Sequence, residues 1–165
     1  MKKTAFCGLM LALALIASYV DSMIPIPIPV PGIKLGVANS VVLILLYYTN
    51  IRMAWGISLA RVILSGFMFG SLSSILYSLS GAVLSLLIMS QCKKRDCFTM
   101  TGVSVAGGVS HNIGQLIMAF LVLESRAVWY YLPVLLLSGC ITGGLIGVLG
   151  KEIFRRLPKE QTAGI

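Results

Sequence analysis

Acidic residues are scarce in this chain. Five Asp and Glu stand against thirteen Lys and Arg among 165 residues, and only 11% of positions are charged. Soluble domains carry roughly a quarter charged residues, so a water-facing globular surface is excluded. Histidine occurs once, at His111, and no second His, Cys or carboxylate stands at ligand spacing from it, so no metal site is expected. Cys7, Cys92, Cys97 and Cys140 match no zinc pattern and make no disulfide framework; the first and last fall inside apolar runs, and the other two flank a basic stretch. The run from Gly144 to Lys151 has the wrong spacing for a phosphate loop, and Glu152 stands where Ser or Thr would be needed. Nucleotide hydrolysis therefore has no motif to carry it.

What the chain does have is apolar length. Hydrophobic residues make up 58% of it and the mean hydropathy is +0.96. Helices of about 17 to 25 apolar residues cross a bilayer, and the sequence divides into six such stretches, roughly 4–20, 35–50, 53–69, 72–90, 98–123 and 127–150, with five spans as the alternative count. The connections near Thr49 to Arg52 and at Gly70 to Ser71 are short enough that consecutive helices run antiparallel. The expected architecture is an all-α integral membrane protein: one six-helix domain over residues 1–150, followed by a short basic tail over 151–165.

Assigning alternate connections to opposite sides gives a lopsided charge count. Lys2, Lys3, Arg52, Lys93, Lys94, Arg95, Lys151, Arg155, Arg156 and Lys159 collect on one side, Lys34 and Arg126 on the other. The positive-inside rule then places both termini in the cytoplasm of a cell-membrane protein. The net charge of +8 reads as a topology signal with no nucleic-acid role, and Lys93 to Arg95 and Arg155-Arg156 are also suited to touching anionic membrane lipid. The first stretch resembles a secretory signal peptide in charge pattern, but no small-x-small cleavage site follows it, and retention as a span is the simpler expectation.

Between the first two stretches, prolines at 25, 27, 29 and 31 forbid a helix, because each lacks an amide donor and biases its predecessor toward extended backbone. A stiff extended strap is expected there. It reads either as a rigid linker at the membrane surface or as a lid over an outward-facing cavity. Lys34 at its end is placed to meet an anionic ligand or a lipid headgroup.

Polar groups at depth are expensive in lipid and face a cavity or another helix. Arg61 lies about eight residues from either end of its stretch, about 12 Å at the helical rise, too deep for comfortable snorkelling. Asp21, Asp96, Glu124, Glu152 and Glu160 all fall at stretch ends or in loops. Unless a bend brings Asp21 or Glu124 down to it, Arg61 is expected to rely on carbonyls, hydroxyls, water or an incoming anion, either as part of a ligand site or as a hydrogen-bond hub. In the fifth stretch, His111 and Gln115 are four apart and share a helical face with Ser104, Gly108 and Met118, with Asn112 beside them. Ligand binding and interhelical hydrogen bonding explain that stripe equally well. Ala5, Gly8 and Ala12 form a small-residue ridge on the first stretch that permits close approach of a helix from this chain or another.

Three co-linear segments carry a resemblance: Pro29 to Asn39, Leu59 to Ser74 and Gly102 to Leu116. They resemble the Gx transporter family, also described as heptaprenyl diphosphate synthase component I, and that family is in turn similar to the substrate-binding S components of energy-coupling factor (ECF) vitamin transporters. The resemblance implies an ECF S-component-like six-helix bundle that captures a small, anionic molecule from outside. It also implies a separate transmembrane coupling subunit and two ATPases as partners. Arg61, Asn39, His111, Asn112 and Gln115 would then line the site, with Lys34 and the strap above it, and Ala5, Gly8 and Ala12 would dock the coupling subunit. No vitamin-specific pocket motif accompanies the match, so ligand identity does not carry over.

The two descriptions of that family differ in chemistry. A chain-elongating prenyl synthase needs aspartate clusters to hold magnesium against diphosphate, and this chain has two aspartates, Asp21 and Asp96, expected on opposite sides of the membrane. It is expected to be no enzyme by itself and to need no cofactor. The transporter reading is therefore preferred at this stage. A non-catalytic subunit of heptaprenyl diphosphate or menaquinone isoprenoid synthesis is the alternative, and a structural subunit of a membrane redox complex is a third.

Overall fold

The computed structural model describes residues 2–24, 38–95 and 98–156. The proline strap from Pro25, Lys34, Asp96 and Cys97 lie outside the described residues. Six α-helices and one short 3-10 helix account for most of the rest: α1 (Lys2–Met23), α2 (Asn39–Tyr48), α3 (Ile51–Phe69), α4 (Leu72–Arg95), α5 (Met100–Leu123), the 3-10 turn Arg126–Tyr131, and α6 (Leu132–Arg156). Five of these segments are long and apolar enough to cross a membrane, and the ten residues of α2 form a shorter apolar helix. The chain thus has the make-up of a multi-pass membrane protein.

The helix limits follow local chemistry. Thr99 is extended and its hydroxyl accepts from the Gly102 amide at 3.2 Å, closing the start of α5. Ser71 does the same for α4, accepting from the Ser74 amide at 3.2 Å, while Gly70 leaves α3 in extended backbone. The break at Gly70 and Ser71 separates α3 from α4 as the short connection requires. Lys93, Lys94 and Arg95 fill the last turn of α4, where cations offset the negative end of the helix dipole.

Two limits differ from the sequence expectation. The last helix was expected from residue 127, but residues Arg126–Tyr131 form the 3-10 turn, with Ser125 accepting from the Ala127 amide, and α6 starts beside Pro133. Proline suits a first helical turn, where its missing amide costs nothing. At the other end of the chain, α1 continues past residue 20 to Met23 and carries Asp21 into the bundle as a buried residue.

Helix α5 lies between α4 and α6, its two most extensive partners, and α1, α2 and α3 pack together beside them. Glycine makes the close approaches possible. A Cβ added at Gly108 would lie 2.6 Å from the Gly139 carbonyl oxygen, and one at Gly143 would lie 2.8 Å from the Ser104 carbonyl oxygen, so α5 and α6 meet backbone to backbone. On the other flank a Cβ at Gly114 would lie 2.7 Å from the Ser80 carbonyl oxygen of α4.

Two apolar clusters sit at opposite ends of this bundle. Val42, Leu43, Leu45, Leu46, Ala54, Ile57, Leu86, Met89 and Val103 form the larger, near the end of α2 and the start of α3. Tyr77, Leu116, Ala119, Val128 and Leu135 form the other, near the 3-10 turn. Large apolar side chains such as Ile16, Phe67, Leu137 and Leu145 point outward, as a lipid-facing surface requires.

Candidate functional site: a buried polar layer and a basic cleft

Between the apolar clusters the inward faces turn polar. Helix α3 buries Ser58, Arg61 and Ser65 on one face at helical spacing. Arg61 is only 5% exposed. Its Nη1 donates to Ser18 Oγ of α1 at 3.2 Å, and Ser18 in turn donates to the Ala14 carbonyl at 2.9 Å. Arg61 Nε and Nη2 are buried without a hydrogen-bond partner among the described residues.

Asp21, one turn beyond Ser18 on the same inward face of α1, interacts electrostatically with Arg61. Of the two acids that a bend could bring to Arg61, Asp21 is the one within its electrostatic range, and an extended helix rather than a bend brings it there. The physical reason is the extra turn of α1, which keeps Asp21 helical and 3% exposed instead of releasing it into the loop.

From the opposite side, α5 contributes His111 and Gln115, both buried, with Ser104 and Ser110 nearby on the same helix. His111 lies within electrostatic range of Arg61 and against the backbone of Gly81 in α4. A Cβ at Gly81 would come within 2.8 Å of the imidazole, so glycine is what lets the ring lie there. Both amide atoms of Gln115 have no hydrogen-bond partner among the described residues, and the same holds for Ser58 Oγ and for Asn39 Nδ2 in the first turn of α2.

Asn112 is turned elsewhere. Its Nδ2 donates to the Leu135 carbonyl at 2.8 Å and to Ser138 Oγ at 3.2 Å, tying α5 to α6. Of the residues singled out in the sequence, Arg61 and His111 come together and Gln115 follows one turn along from His111, while Asn112 serves the α5–α6 contact. Ser18 and Ser58 were missed, and Asp21 was named only as an acid that a bend could bring to Arg61. Their signal was present as i,i+3 spacing, Ser18 to Asp21 and Ser58 to Arg61.

Ala5, Gly8 and Ala12 all lie on the exposed side of α1, and a Cβ at Gly8 would meet nothing within 4 Å. Among the described residues, no helix covers that ridge at Gly8.

A second feature lies at the end of the bundle where α2, α4 and α6 finish. Thr49, Asn50, Ile51, Arg52 and Lys93 line a cleft of about 470 Å³ at the start of α3. Lys93 Nζ donates to the Leu46 carbonyl, near the end of α2, and stands 5.3 Å from the centre of the Tyr47 ring. Lys94 and Arg95 are exposed next to it, and α6 brings Lys151, Arg155 and Arg156 to the same end, where Tyr47 meets Phe154 edge-on at 6.3 Å. Glu152 pairs with Arg156 at 2.9 Å. The opposite end has a different cleft, about 510 Å³, lined by Phe120, Arg126, Ala127, Trp129 and Tyr130.

The model of one protein family, heptaprenyl diphosphate synthase component I, matches residues 10–153. No curated protein and no solved structure matches the chain. With the family match running from within α1 almost to the end of α6, the chain belongs to the heptaprenyl diphosphate synthase component I family.

Proposed function

We propose that this chain is the non-catalytic membrane component of a heptaprenyl diphosphate synthase, seating an aspartate-rich catalytic partner on the membrane and handling an isoprenoid diphosphate there. The observation that carries this reading is the cation-lined end of the bundle. Arg52 and Lys93 border one cleft, and Lys94, Arg95, Lys151 and Arg155 are exposed near the ends of α4 and α6. A diphosphate head needs several positive charges or magnesium, and an acidic partner face needs a complementary basic one. The apolar outer faces of the helices offer an adjoining lipid phase for a polyprenyl tail.

In this proposal the chain crosses the cell membrane six times, once for each of the six apolar stretches of the sequence. Both termini and the basic end then face the cytoplasm. Elongation chemistry is assigned to the partner, because the sequence has only two aspartates, Asp21 and Asp96, and no aspartate cluster. Reconstitution tests the reading. Vesicles containing this chain should recruit a soluble prenyl synthase subunit and raise its output of long-chain product. Unchanged partner binding and product length with and without the chain would end the proposal.

A second reading, small-molecule capture for an ECF-type transporter, draws support from a different place. The polar layer around Arg61 has unfilled hydrogen-bonding capacity, and the Ala5, Gly8, Ala12 ridge is open to a helix of another chain. Affinity purification from membranes separates the two: a transmembrane coupling subunit with two ATPases supports capture, and a prenyl synthase supports the first reading.

A further inference from the structure

Glycine contacts join α5 closely to α4 and α6, whereas α1, α2 and α3 meet those helices over thinner interfaces. The polar layer lies on the seam between these halves. Arg61, Asp21, Ser58 and Asn39 belong to one half, His111 and Gln115 to the other. Buried polar atoms are almost always paired, and an unpaired one destabilises the fold. Among the described residues, Gln115 has no solvent exposure and no partner for either amide atom, Ser58 is 1% exposed with no partner for its hydroxyl, and Arg61 Nε and Nη2 have none. A structural hub would satisfy these groups within the protein. Apart from Ser90 Oγ and Asn112 Oδ1, the unpartnered buried atoms among the described residues lie along this seam, as in a site awaiting a guest.

The charge balance of the layer defines the guest. Arg61 and Asp21 are opposite charges in mutual range, so the layer has little net positive charge to offer. A polyanionic diphosphate head would bring excess negative charge into a water-poor seam beside Asp21, and burying uncompensated charge is strongly unfavourable. The unbonded atoms also include both donors and acceptors. Arg61 Nε and Nη2 donate, and the Gln115 amide does both.

We infer that the seam binds a small polar molecule carrying at most one negative charge and presenting both hydrogen-bond donors and acceptors, such as a cyclic amide with one carboxylate, and that it excludes diphosphate heads. The inference rests on the small-molecule reading of the interior and is independent of the basic end. Ser58 and Gln115 are binding residues in it, contributed by facing halves, and Arg61 meets the single anionic group.

Thermal unfolding of the detergent-purified full chain tests this with two probes, orotate as a monoanionic cyclic amide and inorganic diphosphate as a polyanion. Orotate should raise the midpoint, and Gln115→Met should abolish that rise while unfolding no lower than the parent without probe, since it removes two unpaired atoms at similar volume. Ser58→Ala, a smaller change, should weaken orotate binding by about tenfold. A lower probe-free midpoint in both variants would make the layer a structural hub and overturn the inference. Stabilisation by inorganic diphosphate that Gln115→Met removes would overturn the ligand class while leaving a seam site intact. No shift with orotate would overturn the site, and recruitment of a synthase partner by the basic end would be unaffected by any of these results.

Discussion

Arg61 of α3 donates to the hydroxyl of Ser18 at 3.2 Å, and that hydroxyl donates onward to the Ala14 carbonyl of its own helix. The guanidinium is thereby held toward the face of α1 that also carries Asp21. A cation deep in an apolar run is tolerated here because two turns of a neighbouring helix supply a hydroxyl and a carboxylate.

Removing either charge alone should therefore cost more than removing both. Arg61→Met leaves Asp21 buried without its nearest cation and is expected to destabilise by about 3–5 kcal/mol. Asp21→Asn in the same chain should recover at least about 1 kcal/mol of that loss as a coupling energy. Denaturant or thermal unfolding of the four proteins in one detergent measures the cycle, and additive losses would show that the two charges do not interact.

The glycines of α6 should respond according to what faces them. At Gly143 an added methyl meets the Ser104 carbonyl oxygen and Val105 Cα, both at 2.8 Å and both backbone, so neither yields. Gly143→Ala is expected to cost about 1–3 kcal/mol through forced separation of α5 and α6. The next residue is the control. Around Gly144 the nearest atom is Val105 Cγ2 at 4.0 Å, so Gly144→Ala should be neutral or stabilise by about 0.5–1 kcal/mol through lower chain entropy. Equal effects at the two positions would contradict the packing.

The basic end should act through charge and not through fold. Arg52 and Lys94 are both exposed, so Arg52→Glu with Lys94→Glu should leave the unfolding midpoint nearly unchanged. Binding to an acidic synthase partner should fall at least about tenfold and become less sensitive to salt, because exposed charges act within a Debye length of roughly 8 Å at physiological ionic strength. Surface plasmon resonance across a salt series reads both effects. Retained salt sensitivity in the double variant would place the contact elsewhere.

Thr99 caps α5, the helix that every glycine contact of the α4–α5–α6 group uses. Thr99→Ala should cost about 1 kcal/mol, and Thr99→Ser almost nothing, since the bond needs only the hydroxyl. Hydrogen exchange at the Gly102 amide should rise in the alanine variant alone.

Much of the helix layout was legible because apolar length and turn chemistry are local. The break at Gly70 and Ser71 follows from residues that stand next to each other, and the polar stripe of His111 and Gln115 from residues one turn apart. What escaped were positions whose meaning depends on a partner. Asp21 reads as a loop acid while α1 is thought to end near residue 20; one further helical turn converts it into a buried neighbour of Arg61. Ser18 and Ser58 are unremarkable alone, since serines in apolar helices commonly bond their own backbone, and only the crossing of α1 with α3 gives Ser18 its role. Asn112 sits beside His111 in sequence yet faces α6, because adjacent residues on a helix point about 100° apart.

The sequence by itself determined that this is an all-helical chain of membrane character with one strongly basic end, since composition and periodicity depend only on which residues occur and in what order. It also determined that deep polar groups needed company. The tertiary structure alone decided which company they keep: Arg61 with Ser18 and Asp21, His111 against Gly81, and Gln115 buried without a bond. Those relations depend on helix crossings set by backbone-to-backbone glycine contacts between residues far apart in the chain, and no local pattern encodes the angle or register at which they meet.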